Sequence, residues 1–361
     1  MNRYAKFLIG IVFAGLLLAQ ATAAEPAPHR LGVALYGSNG GHQLRIGALL
    51  NHPNARLVAV CGIDQKTPSN VRRVADLDAL LADPEVELVS LCSPRRADQA
   101  RDAIRCLQAG KHVYAEKPSA LSEADLDAVL AAASAAKKEF HEMAGTTFTQ
   151  PYWEMRRLVR ARAIGEVIQV LVQKSYPYGA HRPQDEAIDG GLFLQVGIHA
   201  IRMIEHTAGV RIRTIAGWET ALGNPEPGDG KMAGAVQMTL ENGGLATVIL
   251  NYLNPPYLKP RGHETLRIFG TKGFIESTDG GVRTRLVDRE RVTEPLRPVE
   301  PTRDYFDFIA AHLANGAPLP LTSEDELHPL RMLLRAKAAL HPVALPPGAA
   351  RISIPVQPSQ P

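Results

Sequence analysis

From residue 30 onward, short apolar runs alternate with amphipathic ones. LGVALYG (31–37), RLVAVCG (56–62), ELVSLCSP (87–94) and KHVYAEKP (111–118) carry almost no polar alternation. Runs of that kind suit strands covered on both faces. Between them, HQLRIGALLNHP (42–53), LDALLADPEV (77–86) and ADQARDAIRCLQAG (97–110) have helical periodicity. SEADLDAVLAAASAAKK (122–138) opens on Ser122 and places Glu123 and Asp125 in its first turn, which predicts a capped helix. Strand–helix repetition predicts a doubly wound parallel α/β sheet over residues 24–150.

Past residue 150 the rhythm changes. WEMRRLVRARAIG (153–165) reads as a helix and GEVIQVLVQKS (165–175) as a strand. The stretches 212–221, 234–253, 264–277 and 281–290 alternate apolar and polar residues, and Glu241-Asn242-Gly243-Gly244 supplies a hairpin turn. These predict an α+β second domain over 151–341, built on an open, largely antiparallel sheet and closed by helices over 302–316 and 324–340. A Pro-rich tail, 342–361, follows.

The first residues are not fold. Arg3 and Lys6 precede an apolar run from Phe7 to Ala19, and Ala21-Thr22-Ala23 gives a small-residue cleavage pattern. This predicts a signal peptide over 1–23, cleaved after Ala23, and a periplasmic or secreted mature protein without a stable membrane anchor. The full chain carries a formal charge of +3. Cleavage removes two cations and no acid, so the mature chain is close to neutral and offers no electrostatic case for nucleic acid. Cys61, Cys92 and Cys106 sit in apolar surroundings without metal-ligand spacing, so they read as buried small hydrophobes rather than a disulfide framework or a metal site.

Candidate chemistry lies at three places. The first strand runs into Gly37-Ser38-Asn39-Gly40-Gly41-His42. Glycines there let backbone amides approach a dinucleotide pyrophosphate at a helix N-terminus, although Asn39 and His42 occupy two positions of the usual glycine pattern. Asp64, just after the second strand, can hold an adenosine ribose or stand as a solvated loop residue, leaving NAD and NADP both open. KHVYAEKP ends a buried strand with Glu116 and Lys117, costly residues there unless something uses them. In GGLFLQVGIHAIRMI (190–204), Gln195 and His199 are spaced i and i+4, on one face of a helix.

Together, LCSPRRADQARDAIRCLQAGKHVYAEKPSALSEADLDAVLAAA, ARLVAVCGID, ARAIGEVIQV, IDGGLFLQVGIHAIRMIE and RIFGTKGFIES resemble the glucose–fructose oxidoreductase, inositol dehydrogenase and MocA (Gfo/Idh/MocA) family over roughly residues 30–340. The resemblance implies a Rossmann-type NAD- or NADP-binding domain followed by a sheet domain that commonly forms homo-oligomers. It implies a cofactor site from Gly37, Asn39, Gly40, Gly41, Asp64, Ser93, Pro94, Glu116 and Lys117. Lys117 would project between nicotinamide and substrate, with Pro118 fixing the turn through a cis bond. Family members place an acid four residues before a histidine, and these with the lysine surround the reacting carbinol. His199 matches; Gln195 replaces the acid, and an amide orients a hydroxyl but accepts no proton. Arg95 and Asp98 likewise stand where the family often has Asn and His. His181 and Arg182, just upstream of the helix of Gln195 and His199, read either as pocket residues for a polar substrate or as solvent-exposed loop residues.

The implied activity is NAD(P)-dependent oxidation of a CH–OH group of a sugar, polyol or glycoside, with Lys117 or His199 taking the proton. Export makes a soluble cofactor cycle awkward. Two alternatives therefore stand: glycoside cleavage or epimerisation with a tightly held, self-recycled NAD, and a redox-inactive carbohydrate-binding protein.

Overall fold

The computed structural model describes residues 29–349 and 354, apart from 144, 180, 181, 256, 257 and 259–262. The signal segment, His181 and most of the tail lie outside the described residues.

The first sheet contains β1 (Leu31–Tyr36), β2 (Ala55–Cys61), β3 (Arg72–Arg73), β4 (Leu88–Leu91), β5 (His112–Glu116) and β6 (Phe140–Met143). All pairs are parallel and the order is β3-β2-β1-β4-β5-β6. That order reverses between β1 and β4, which opens a crevice at their carboxyl ends. Nearly every residue of β1, β2, β4 and β5 is buried, as expected for strands covered on both faces. Ser122 caps the helix Glu123–Ala136 as expected, accepting from the Asp125 amide.

The second sheet contains β7 (Val167–Ser175), β8 (Ile212–Thr220), β9 (Ala233–Leu240), β10 (Leu245–Asn251), β11 (His263–Gly270), β12 (Gly273–Thr278), β13 (Arg283–Asp288), β14 (Val292–Thr293) and β15 (His341–Pro342). Its order is β14-β13-β12-β11-β7-β10-β9-β8-β15. β7 with β10 and β8 with β15 are parallel and the remaining pairs antiparallel, so the sheet is mixed. Residues 241–244 form the β9–β10 turn, as their composition predicts. Val170 and Val172 of β7, Val236 and Met238 of β9, and Val248 and Leu250 of β10 face one core with the helices Gly191–Arg202 and Ser323–Ala339.

Two of the links between the domains are largely buried. The helix Tyr305–Asn315 returns to the first sheet, where Phe306, Ile309 and Ala310 pack with Leu31, Val33, Leu35 and Leu49. A buried ionic chain forms the second link. Glu326 meets His141 Nδ1 at 2.8 Å and accepts from the Glu142 amide at 2.8 Å, while the Arg202 guanidinium donates to Glu142 at 2.8 Å. All four side chains are almost wholly buried.

Cys61, Cys92 and Cys106 are free and buried, and burial pushes each thiol up. They should therefore resist thiol reagents in the folded protein and react only on unfolding, a contrast that a timed labelling experiment reads directly.

Candidate active site

β1 ends in a turn that only glycine fits. Gly37 has φ +70, and a Cβ there would lie 2.0 Å from the Cys92 carbonyl oxygen. Gly40 has φ +137, and its Cβ would lie 2.4 Å from Cδ of Glu116. The following helix begins at Ile46, not at His42 as the periodicity predicts. Tertiary contacts hold the intervening residues out of the helix. The Glu116 carboxylate accepts from the His42 amide at 2.8 Å and meets the His42 ring at 2.9 Å. The Gln43 side chain turns back to donate to the Gly37 carbonyl at 2.8 Å. A Gly40→Ala substitution should cost about 1–3 kcal/mol, because strained backbone and a blocked carboxylate combine. Urea unfolding checks this directly.

Asn39 donates its side-chain amide to Pro94 O at 3.0 Å and to Ile188 O at 2.7 Å, and its own carbonyl accepts from Arg96 at 2.8 Å. The Ser93 hydroxyl points inward, to Asp102 at 2.8 Å. Asn39, Ser93, Pro94 and Glu116 thus fix the loops around the crevice with these groups. Asp64 stands exposed beyond β2, with no partner among the described residues. Gly62 brings its bare Cα side close to Gly37, and nothing lies within 4 Å of a Cβ on Gly41.

At the end of β5, the peptide between Lys117 and Pro118 is cis. Lys117 is buried, and its Nζ donates to the main-chain carbonyl of Gln195 at 2.8 Å. Burial lowers its pKa to about 8, opposed by the negative charge of Glu116. Burial would raise the Glu116 carboxyl, but the His42 hydrogen bond and the charges of His42, Lys117 and Arg96 hold it below the usual range. His199 lies on the same helix as Gln195, buried, with Nδ1 2.9 Å from the Thr146 hydroxyl and its ring centroid 5.2 Å from that of His42. Burial, reinforced by the positive charges of Lys117 and Lys174, drives its pKa well down, so His199 is neutral at physiological pH.

Gln195 is a junction. Its main-chain oxygen holds Lys117, and its side-chain oxygen accepts from Arg182 at 3.0 Å and from the Tyr252 hydroxyl at 3.2 Å. Lys117, Gln195, His199 and Arg182 therefore come together, whereas Asp64 and the glycine turn belong to the crevice.

Three residues of the cluster escape a reading of the sequence alone. Lys174 is buried at the end of β7, in contact with the Glu264 carboxylate and 5.2 Å from the Tyr176 ring centroid. Its signal was register: Val170, Val172 and Lys174 share the inward face of one alternating strand. Asp189, buried, stands 3.4 Å from Arg182 and accepts from the Gly191 amide at 2.9 Å. Tyr252 continues the inward face of β10 and lies under the Arg182 guanidinium, 3.8 Å from carbon to ring centroid.

The crevice suits a dinucleotide. Bare glycine backbone meets at the strand ends, nothing lies within 4 Å of a Cβ on Gly41, and Asp64 stands exposed just beyond β2. The parallel sheet and its glycine turn are those of a dinucleotide-binding domain. Residues 31–143 match the model of the oxidoreductase family with an NAD-binding Rossmann fold, and residues 152–276 match that of the GFO/IDH/MocA C-terminal domain. The two matches together span well over half of the chain, and the protein belongs to the Gfo/Idh/MocA family.

Among similar proteins is the myo-inositol 2-dehydrogenase of Thermotoga maritima, 26% identical over 276 residues, covering 73% of this chain and 80% of that one. The fold is shared with an aldose-aldose oxidoreductase from Caulobacter crescentus complexed with glycerol, at TM-score 0.74 and 21% identity over 86% of this chain and 97% of that one. It is also shared with GenD2 from gentamicin A biosynthesis in complex with NAD, at TM-score 0.71 and 22% identity over 91% and 97% of the two chains. The cofactor is accordingly NAD or NADP.

Proposed function

We propose that this protein oxidises, or in reverse forms, a secondary carbinol of a sugar or polyol at the junction of Lys117, Gln195 and His199. One observation carries the reading. A buried lysine with a pKa of about 8 ends the strand at the carboxyl edge of the dinucleotide sheet. A bound nicotinamide supplies the hydride acceptor. The free amine of Lys117 takes the hydroxyl proton as the carbonyl forms, because its pKa lies close to working pH. Neutral His199, oriented through Thr146, hydrogen-bonds the carbinol oxygen, and Gln195 positions the two bases rather than exchanging a proton. Carbohydrate substrates are supported by the names of the inositol- and aldose-acting relatives.

The test is reduction of NAD or NADP by a panel of aldoses and polyols. Turnover that disappears with Lys117→Met supports the reading; a panel that reduces neither dinucleotide contradicts it.

One observation favours a second reading, in which the dinucleotide stays bound and is recycled within one catalytic cycle. Asn39 straps the glycine turn to Pro94 and, across the domain boundary, to Ile188. A strap of this kind slows cofactor exchange, which suits an exported chain. The leader-like 1–23 segment supports export, and cell fractionation tests it. Exposed Ile168, Leu245 and Ile249 on the outer face of the second sheet support a homo-oligomer through that sheet, which light scattering tests.

A further inference from the structure

The cations around the carbinol site are unevenly paired. Lys117 has a neutral carbonyl as its hydrogen-bond partner, Lys174 contacts Glu264, and Arg182 has a carboxylate no nearer than 3.4 Å. Charge-assisted pairs are shorter, about 2.7–2.9 Å. Glu116 is already engaged by the His42 amide and ring. At the position between Lys117 and Arg182 stands Gln195, a neutral amide. Lys117, Lys174 and Arg182 thus converge on a region whose acids are Glu116, already held by His42, Glu264, taken by Lys174, and Asp189, and a nicotinamide cation would add a further positive charge.

Arg182 also shows where the missing anion belongs. Its Nη1 is saturated by Tyr252, Gln195 and Asp189. Its Nε is buried without a partner, and Nη2 has none among the described residues. The Nε–Nη2 edge of a guanidinium is a two-pronged donor that matches a carboxylate. Stacking on the Tyr252 ring holds that edge in one plane.

We infer that the substrate is a sugar acid: a polyhydroxy carboxylate whose carboxylate is gripped by Arg182 while a nearby carbinol faces Lys117. The inference rests on the dehydrogenase reading for the placement of the carbinol. Carboxylate recognition replaces the charge that an acid at position 195 would have supplied.

The experiment compares D-gluconate and D-glucuronate with D-glucose and D-sorbitol as reductants of NAD and NADP, in wild type, Arg182→Gln and Arg182→Lys. It adds calorimetric binding of the same four compounds to Lys117→Met, alone and combined with Arg182→Gln or Arg182→Lys. The acids should exceed the neutral compounds in kcat/KM by about 10- to 100-fold, the worth of a charge-assisted hydrogen-bonded pair. Arg182→Gln should collapse that ratio toward one, chiefly through KM. Arg182→Lys, which keeps the charge and loses the fork, should keep only part of it and serves if Arg182→Gln fails to fold. Equal or better use of the neutral compounds overturns the inference, as does an acid preference unchanged in both variants. If no compound reduces a dinucleotide but an acid binds in an Arg182-dependent way, the dehydrogenase reading fails and carboxylate recognition stands. If neither acid binds Lys117→Met, carboxylate recognition fails.

Discussion

Lys117→Ala should lower kcat for carbinol oxidation by about 100- to 10,000-fold, the usual worth of a positioned general base, while dinucleotide affinity changes far less. The reason lies in two opposed influences on one amine. Burial drives the proton off, Glu116 holds it on, and the balance leaves the pKa at about 8. The free amine is the form that accepts a proton. Oxidation should therefore rise about tenfold per pH unit on the acid side, since the fraction of free amine does so, and level off above about 8. Carbonyl reduction needs the ammonium and should fall over the same interval. Steady-state rates in both directions across this range check the sign, and Lys117→Ala should lose the inflection.

The second large effect concerns the joint between the domains. Glu326→Ala removes a buried carboxylate from His141, the Glu142 amide and the neighbourhood of Arg202, leaving His141 with Glu139 alone and the Glu142 amide without its acceptor. Such losses cost about 3–5 kcal/mol. Glu326→Gln, which keeps shape and a hydrogen-bonding oxygen, should cost less. Burial alone would lower the pKa of His141, but Glu326 and Glu139 raise it to about 9. The folded value lies above the ordinary one, so this stabilisation is complete below the usual histidine range and disappears as pH rises through about 9. Urea unfolding at neutral and alkaline pH should show wild type losing stability that the alanine variant has already lost.

How much of this was legible in the sequence follows from the range of the forces involved. Strands buried on both faces announce themselves as apolar runs, and the hairpin at 241–244 is local chemistry, so both sheets could be anticipated. The end of β5 was legible because an acid, a base and a proline after a buried run contradict local rules. The helix start was not, because Glu116 and Gln43 undo the first turn through contacts that periodicity does not encode. Glu326 and His141 are far apart in the chain, and neither stands out where it occurs. Arg182 was visible as a polar pocket candidate, but its half-satisfied guanidinium emerges only from the packing of Tyr252 and Gln195. Lys174 lay within reach of a stricter application of strand alternation.

The step proposed for this site passes a carbinol hydrogen to a nicotinamide held beside Lys117. It is tested most directly by incubating the protein with NAD or NADP and a polyhydroxy substrate deuterated at its carbinol carbons, then measuring deuterium in the reduced nicotinamide by mass spectrometry. Label is expected in the wild-type product and little in that of Lys117→Ala. No transfer from any substrate in wild type, or undiminished transfer in the variant, would contradict it.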